Sequence, residues 1–172
     1  MKKVLLIASI FFICPIVLSI CASGEVLEGI VAIVNDEVIL LSELKEAFRS
    51  AQESDSSVTE DKVLNGMINT MLLLIEAKRF RVGDTDYRPR NTAYNRSIIR
   101  EFIDRRIKSF IHIPYEDIEY YYNSNREFFE GKEFYDVRDE IEEQMVEKES
   151  GSRLHEYIEE LRTKAYIRIQ LE

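Results

Sequence analysis

The rhythm of apolar and polar positions changes several times along this chain, and each change predicts an element. Ile30 to Val34 is a short β-branched run, which suits a buried strand. Asn35-Asp36 follows, two residues that tolerate positive φ and suit a tight two-residue hairpin turn. Glu37 to Leu40 turns apolar again and can pair back. Ser42 stands as a candidate N-cap for a first helix reaching about Gln52, with Leu44, Ala47 and Phe48 on one face. A two-stranded hairpin is marginal in water, so a further partner strand is expected. Tyr166 to Leu171, YIRIQL, alternates Ile167, Ile169 and Leu171 with Arg168 and Gln170, the pattern of a half-buried strand. It has no other obvious partner.

Between these ends the period is helical. Ser54 to Ser57 reads as a loop; Ser57-Val58-Thr59-Glu60 matches a capping box, with Thr59 as a rival cap. A second helix is expected from about Glu60 to Phe80, with Gly83 as its stop. Leu64, Ile68, Met71 and Ile75 form its stripe, and Val63, Met67, Leu72, Leu73 and Leu74 widen it. A helix apolar over so much of its circumference is a buried bundle centre. Gly83 to Asn91 is a polar connection. A third helix is expected over about Thr92 to Ile111, with Ile98, Ile99, Phe102, Ile103, Ile107, Phe110 and Ile111 inward. A fourth follows Pro114, from Tyr115 to Phe129, with Ile118, Tyr121, Tyr122 and Phe128 at helical spacing, and Gly131 breaks it. The fifth starts near Phe134 with Val137, Ile141 and Met145. Its later stripe, Leu154, Tyr157, Ile158, Leu161 and Ala165, is out of step with the first. A kink or a change of packing face is therefore expected near Ser150-Gly151-Ser152. The fold class that emerges is mainly α: about five helices closed by a small antiparallel sheet joining the N-terminal hairpin to the C-terminal strand.

Charge narrows the picture. The 172 residues carry 23 basic and 32 acidic side chains, net −9. Nucleic-acid binding, which runs on basic surface, is not expected. The distribution is uneven: Lys78 to Lys108 holds ten basic against four acidic residues, and Ser109 to Glu172 eight against seventeen. That is read as helix surfaces facing opposite neighbours within one fold, with a basic binding patch as the sharper alternative. Both cysteines, Cys14 and Cys21, precede the globular part, so disulfides and thiolate metal sites are not expected in it. Met1 to Gly24 has the plan of a secretory signal: Lys2-Lys3, the apolar run Val4 to Ile20, then Ala22-Ser23-Gly24. The expected mature domain is 25–172. A lipoprotein reading would instead anchor the chain through Cys21, but bulky Ile20 precedes it.

No constellation in the sequence supports catalysis. His112 and His155 are its only histidines, and neither has a nucleophile in view. Carboxylates such as Asp139-Glu140 and Glu142-Glu143 read as the solvated side of a helix. Phosphate-loop, dinucleotide, zinc-helix and calcium-loop signatures are missing. No cofactor and no metal is expected.

The hairpin-to-helix stretch GIVAIVNDEVILLSEL (Gly29 to Leu44) closely resembles the start of the N-terminal domain of SurA-like periplasmic chaperones. FIDRRIKSFIHIPYEDIEYYYNSNREFF is similar to the segment leading into that family's paired-tyrosine helix. VRDEIEEQMVEKESGSRLHEYIEELRTKAYIRIQLE resembles its closing helix and strand. The resemblance implies a helical domain shut by a sheet that joins the two chain ends. Many members insert one or two parvulin-type isomerase domains before the last helix. Here only Glu130 to Glu133 stand between Phe129 and Phe134, so no such domain fits. Pro114, where relatives usually carry a capping Ser or Thr, and the short Gly83–Asn91 connection are further departures. The implied function is a periplasmic chaperone for unfolded or outer-membrane polypeptides, without isomerase activity. An accessory subunit with one dedicated partner and a prolyl isomerase are the alternatives. Candidate groove residues are Met67, Met71, Leu74 and Met145, since flexible thioethers adapt to varied guests; core packing is the plain alternative for each.

Overall fold

The computed structural model describes residues 28–83 and 92–170. The expected leader, Cys21, the Arg88-Pro89-Arg90 connection and Leu171 lie outside the described residues. Strand β1 (Ile30–Val34) is the centre of a three-stranded antiparallel sheet, between β2 (Glu37–Leu40) and β3 (Ile167–Ile169). The two ends of the described chain thus meet in one sheet, as the alternation of YIRIQL requires. Val34 pairs with Glu37 on one side and with Ile167 on the other. Asn35 opens the two-residue turn with φ of 54°, while Asp36 stays at negative φ. Asn35 also latches the far end of the chain: its N–H donates to the Tyr166 carbonyl at 2.8 Å, and its Oδ1 accepts from the Tyr166 N–H at 2.9 Å.

A β-bulge places two neighbouring side chains inside. Ile30 pairs with Leu40 but Ala32 with Ile39, so Val31 is the extra residue, and both Val31 and Ala32 are buried. The sheet's inner face carries Ala32, Val34 and Ile39. Ile169 lies on that face opposite Ala32 yet remains 48% exposed.

Helix α1 (Leu41–Ser54) starts without the expected cap. Leu40 occupies the N-cap position and has no acceptor; the Glu43 carboxylate instead accepts from the Leu40 N–H at 3.0 Å. Ser42 turns away to donate to Glu28. In α2 (Glu60–Arg79) Thr59 is the cap, accepting from the Lys62 N–H at 3.3 Å. Ser57 is held in the preceding turn by Asp55. The far end of α2 closes two residues before Gly83. The Arg81 N–H reaches the Lys78 carbonyl at 3.0 Å and the Val82 N–H the Ala77 carbonyl at 2.9 Å. That is a Schellman motif with Arg81, at φ of 54°, in the left-handed position usually given to glycine. Val82 and Ala77 are both buried, the apolar contact that accompanies the motif.

α2 is the axis of the bundle. Its Leu64, Ile68 and Leu72 pack with Leu44 of α1 and with Val31, Ala32, Val34 and Ile39 of the sheet. Its Leu73, Leu74 and Ala77 pack with Ile98 and Phe102 of α3 (Thr92–Arg106). Gly83 lies against α3 so closely that an added Cβ would stand 1.9 Å from Ile98 Cδ1. Helix α3 ends at Arg106, and a 3-10 turn, Lys108–Phe110, follows. The change of period turns Phe110 outward, 67% exposed, where an unbroken helix would have buried it.

Helix α4 is Tyr115–Ser124 and α5 is Phe134–Lys164. The 31 residues of α5, roughly 46 Å of helix, run without a break at Ser150-Gly151-Ser152. The two stripes are out of step because the helix changes partners. Val137, Ile141 and Met145 pack in a third cluster with Ile118 and Tyr122 of α4. Leu154, Tyr157, Ile158 and Leu161 pack on the α2–α3 cluster. Buried Ser150 lies at the handover. Beyond it α5 is stitched to α2: Arg162 donates to Asn69 at 2.6 Å and to Asn65 at 2.9 Å, and the Tyr157 hydroxyl donates to Glu76 at 3.3 Å.

Candidate polypeptide-binding surface

The third cluster forms a small lobe of its own, built from α4, a short 3-10 turn (Arg126–Phe129) and the first half of α5. Pro114 precedes α4 and supplies no side-chain cap; Glu116 and Asp117 in the first turn complement the helix dipole instead. At the other end Glu130 (φ 50°) and Gly131 (φ 81°) are left-handed in succession and swing the chain back along α4. The Tyr122 hydroxyl donates to the Lys132 carbonyl at 2.7 Å and pins this reversal. Four residues, Glu130 to Glu133, thus make a closed turn where a larger insertion would have to leave and return.

Rings pack inside the lobe. Tyr122 lies 5.4 Å from Phe129 and 5.4 Å from Phe134, and Phe134 lies 5.6 Å from Tyr115. Edge and tilted contacts of this kind add specificity to simple burial. Other rings of the same segment face solvent. Phe128 is 74% exposed, Tyr120 75% and Tyr135 79%. Of the three successive tyrosines only Tyr122 is buried. The helical spacing expected to bring Phe128 inward fails because α4 ends at Ser124 and the 3-10 turn rotates Phe128 out. Tyr121, Phe128 and Phe129, with Glu130, Lys132, Glu140 and Gln144, line an open cleft of about 470 Å³. The Tyr115 hydroxyl is held above its ordinary pKa, mainly by hydrogen bonding with Tyr135.

The expected groove residues do not gather at one place. Met67 and Met71 are half-buried against the sheet cluster, Leu74 is buried with α3, and Met145 is half-buried in the α4–α5 lobe. They pack against three separate clusters. The exposed aromatics have a sequence signal, the dense run of Tyr and Phe from Tyr115 to Tyr135, but which of them face out depends on where α4 stops.

His112 is exposed between the 3-10 turn and α4, and His155 is exposed on α5. Among the described residues, Tyr157 is the group pushed far, to about 12, by burial and the neighbouring Glu76 carboxylate. It packs beside Phe102, in turn beside Phe80, whose face carries the Arg106 guanidinium at 4.1 Å. That stack joins α2, α3 and α5 and has the character of a structural joint. No group of three or more metal-binding side chains occurs among the described residues, and no helix among them is long and apolar enough to cross a membrane. No protein-family model and no curated protein matches this sequence.

Proposed function

We propose that this chain is a periplasmic chaperone of SurA-like plan that holds unfolded or outer-membrane polypeptides and lacks isomerase activity. The observation that carries the reading is the exposed Phe128 ring at an open cleft of the α4–α5 lobe, with Tyr120 and Tyr135 exposed elsewhere on the same lobe. Clustered exposed apolar groups favour contact with a partner. Rings mounted on a packed lobe offer large contact area at small conformational cost. The resemblance of Gly29 to Leu44 and of the closing helix to the SurA-like core supports the same reading, as does the secretory plan of Met1 to Gly24. Isomerisation must lower a barrier of about 18–20 kcal/mol with a dedicated pocket around the proline. The four residues between Phe129 and Phe134 leave no room for the domain that supplies it in relatives.

A second reading is an accessory subunit with one dedicated partner. It is favoured by the half-burial of Met67, Met71 and Met145, which leaves little adaptable thioether surface for varied guests. One purified protein in two assays separates the readings. Suppressed aggregation of a denatured outer-membrane protein, with proline-limited refolding unaccelerated, is the expected result. Faster refolding at catalytic concentrations would overturn the non-enzyme assignment. Failure to protect any client, with tight binding to a single protein, would favour the accessory subunit.

A further inference from the structure

We infer that the cleft on the α4–α5 lobe selects cationic segments of polypeptide, in which a lysine or arginine stands beside an apolar side chain. The inference rests on the polypeptide-binding reading and names what is bound. Two observations carry it together: the rings at the cleft and the charge around them. Tyr115 to Met145 contains eleven acidic residues against three basic ones. Of the three, Arg138 is spent on Asp139, with contacts of 2.6 and 2.9 Å, and Arg126 lies over the Tyr122 ring at 5.5 Å. Lys132 lines the cleft together with Glu130 and Glu140, one cation against two carboxylates. Between Tyr115 and Met145, Asp139 is the only carboxylate held in an ion pair among the described residues; further along α5, Glu147 pairs with Lys108 and Glu149 with Arg153. The lobe therefore presents a strong negative field around exposed aromatic faces.

That combination discriminates among guests. A negative surface draws cations and repels acidic chains. A desolvated ring face adds attraction for an ammonium or guanidinium, Arg more than Lys. The lobe already uses this contact internally, since Arg126 covers the inner ring, Tyr122. Phe128 and Tyr121 offer the same ring chemistry at the cleft, with Glu130 and Glu140 alongside to pair the charge. An apolar neighbour of the guest cation can lie on exposed Phe128.

The test uses the full chain and short labelled peptides of identical apolar content, one carrying lysines, its twin glutamates. Anisotropy should show the lysine peptide bound about tenfold tighter or more, and weakening as salt rises from about 50 to about 300 mM. Phe128→Ser should weaken binding of the lysine peptide. The pair Glu130→Gln and Glu140→Gln should reduce its advantage over the twin. These three side chains are exposed, so circular dichroism and the thermal midpoint should stay unchanged in the variants. Equal affinity for both peptides, or a preference untouched by these substitutions, would overturn the inference. If aggregation is still suppressed in that case, the chaperone reading survives without it. Absence of both peptide binding and suppression would overturn the two together. Low-salt self-association abolished by Phe128→Ser would also overturn it, assigning the acidic lobe to the basic face of a second copy.

Discussion

Asn35 carries two separable loads, and a pair of substitutions can weigh them. Its backbone is left-handed at φ of 54°, and its Oδ1 accepts the Tyr166 N–H at 2.9 Å. Asn35→Gly keeps the backbone geometry and deletes the side-chain acceptor. A net hydrogen bond contributes about 0.5–1.5 kcal/mol. Tyr166 is 59% exposed, so water can replace the lost partner and the lower half of that range applies. The freer unfolded glycine adds roughly 0.5 kcal/mol, giving a loss near 1 kcal/mol. Asn35→Ala deletes the same acceptor and leaves the left-handed backbone without the polar side chain that lets asparagine tolerate it, at about 1–2 kcal/mol. The alanine variant should therefore lose about 2 kcal/mol. Equilibrium urea unfolding, read by circular dichroism, should rank wild type above Gly above Ala with a common slope. Equal stability of the two variants would refute the claim that the turn's left-handed residue matters. Unchanged stability in both would show that the latch to Tyr166 does not hold the sheet.

Gly83→Ala should cost about 2–4 kcal/mol, from the left-handed strain at φ +87° plus displacement of Ile98, and a thermal melt should show it. Arg81→Gly should stabilise the domain by about 1 kcal/mol, because glycine relieves the left-handed cost at the end of α2; a lower midpoint would mean that the Arg81 side chain contributes what the structure does not reveal. Tyr157, with its phenol pushed to about 12 from the ordinary 10.0, favours the folded state while protonated. That contribution is complete below pH 10.0 and fades as pH rises through about 12. Alkaline unfolding should be steeper in wild type than in Tyr157→Phe, and the latest-titrating phenol of a tyrosinate titration should be missing from that variant.

The larger plan was legible because it rests on periodicity. YIRIQL alternates, the N-terminal hairpin lacked a partner, and the two do pair through Val34 and Ile167. α2 is apolar over most of its circumference, and it is the bundle's axis. What was not legible lies where the period is interrupted. Phe110 and Phe128 fall in 3-10 turns, so counting by 3.6 placed them inside when they face out. Helix ends moved for a different reason. Ser42 and Gly83 are good cap residues by type, but the Glu43 carboxylate takes the Leu40 N–H, and Arg81 takes the left-handed position two residues before Gly83, with Val82 buried behind it. At the candidate surface, the ring-rich run was visible in the sequence. Which rings form the lobe's core and which are offered outward depended on the position of one helix end.

Because β1 is the central strand, its two neighbours come into existence at very different times. β2 follows β1 by two residues and can pair within microseconds of emerging. The other partner of Val34 is Ile167, near the far end of the chain. Until that segment has been made, β1 offers an unpaired edge beside the buried-to-be Val31, Ala32 and Val34, an invitation to wrong strands. Completion of the sheet is therefore a late, long-range step whose rate is limited by loop closure rather than by helix formation. A chain interrupted during synthesis before Ile167 should keep its helices, yet be recognised and degraded as unfinished.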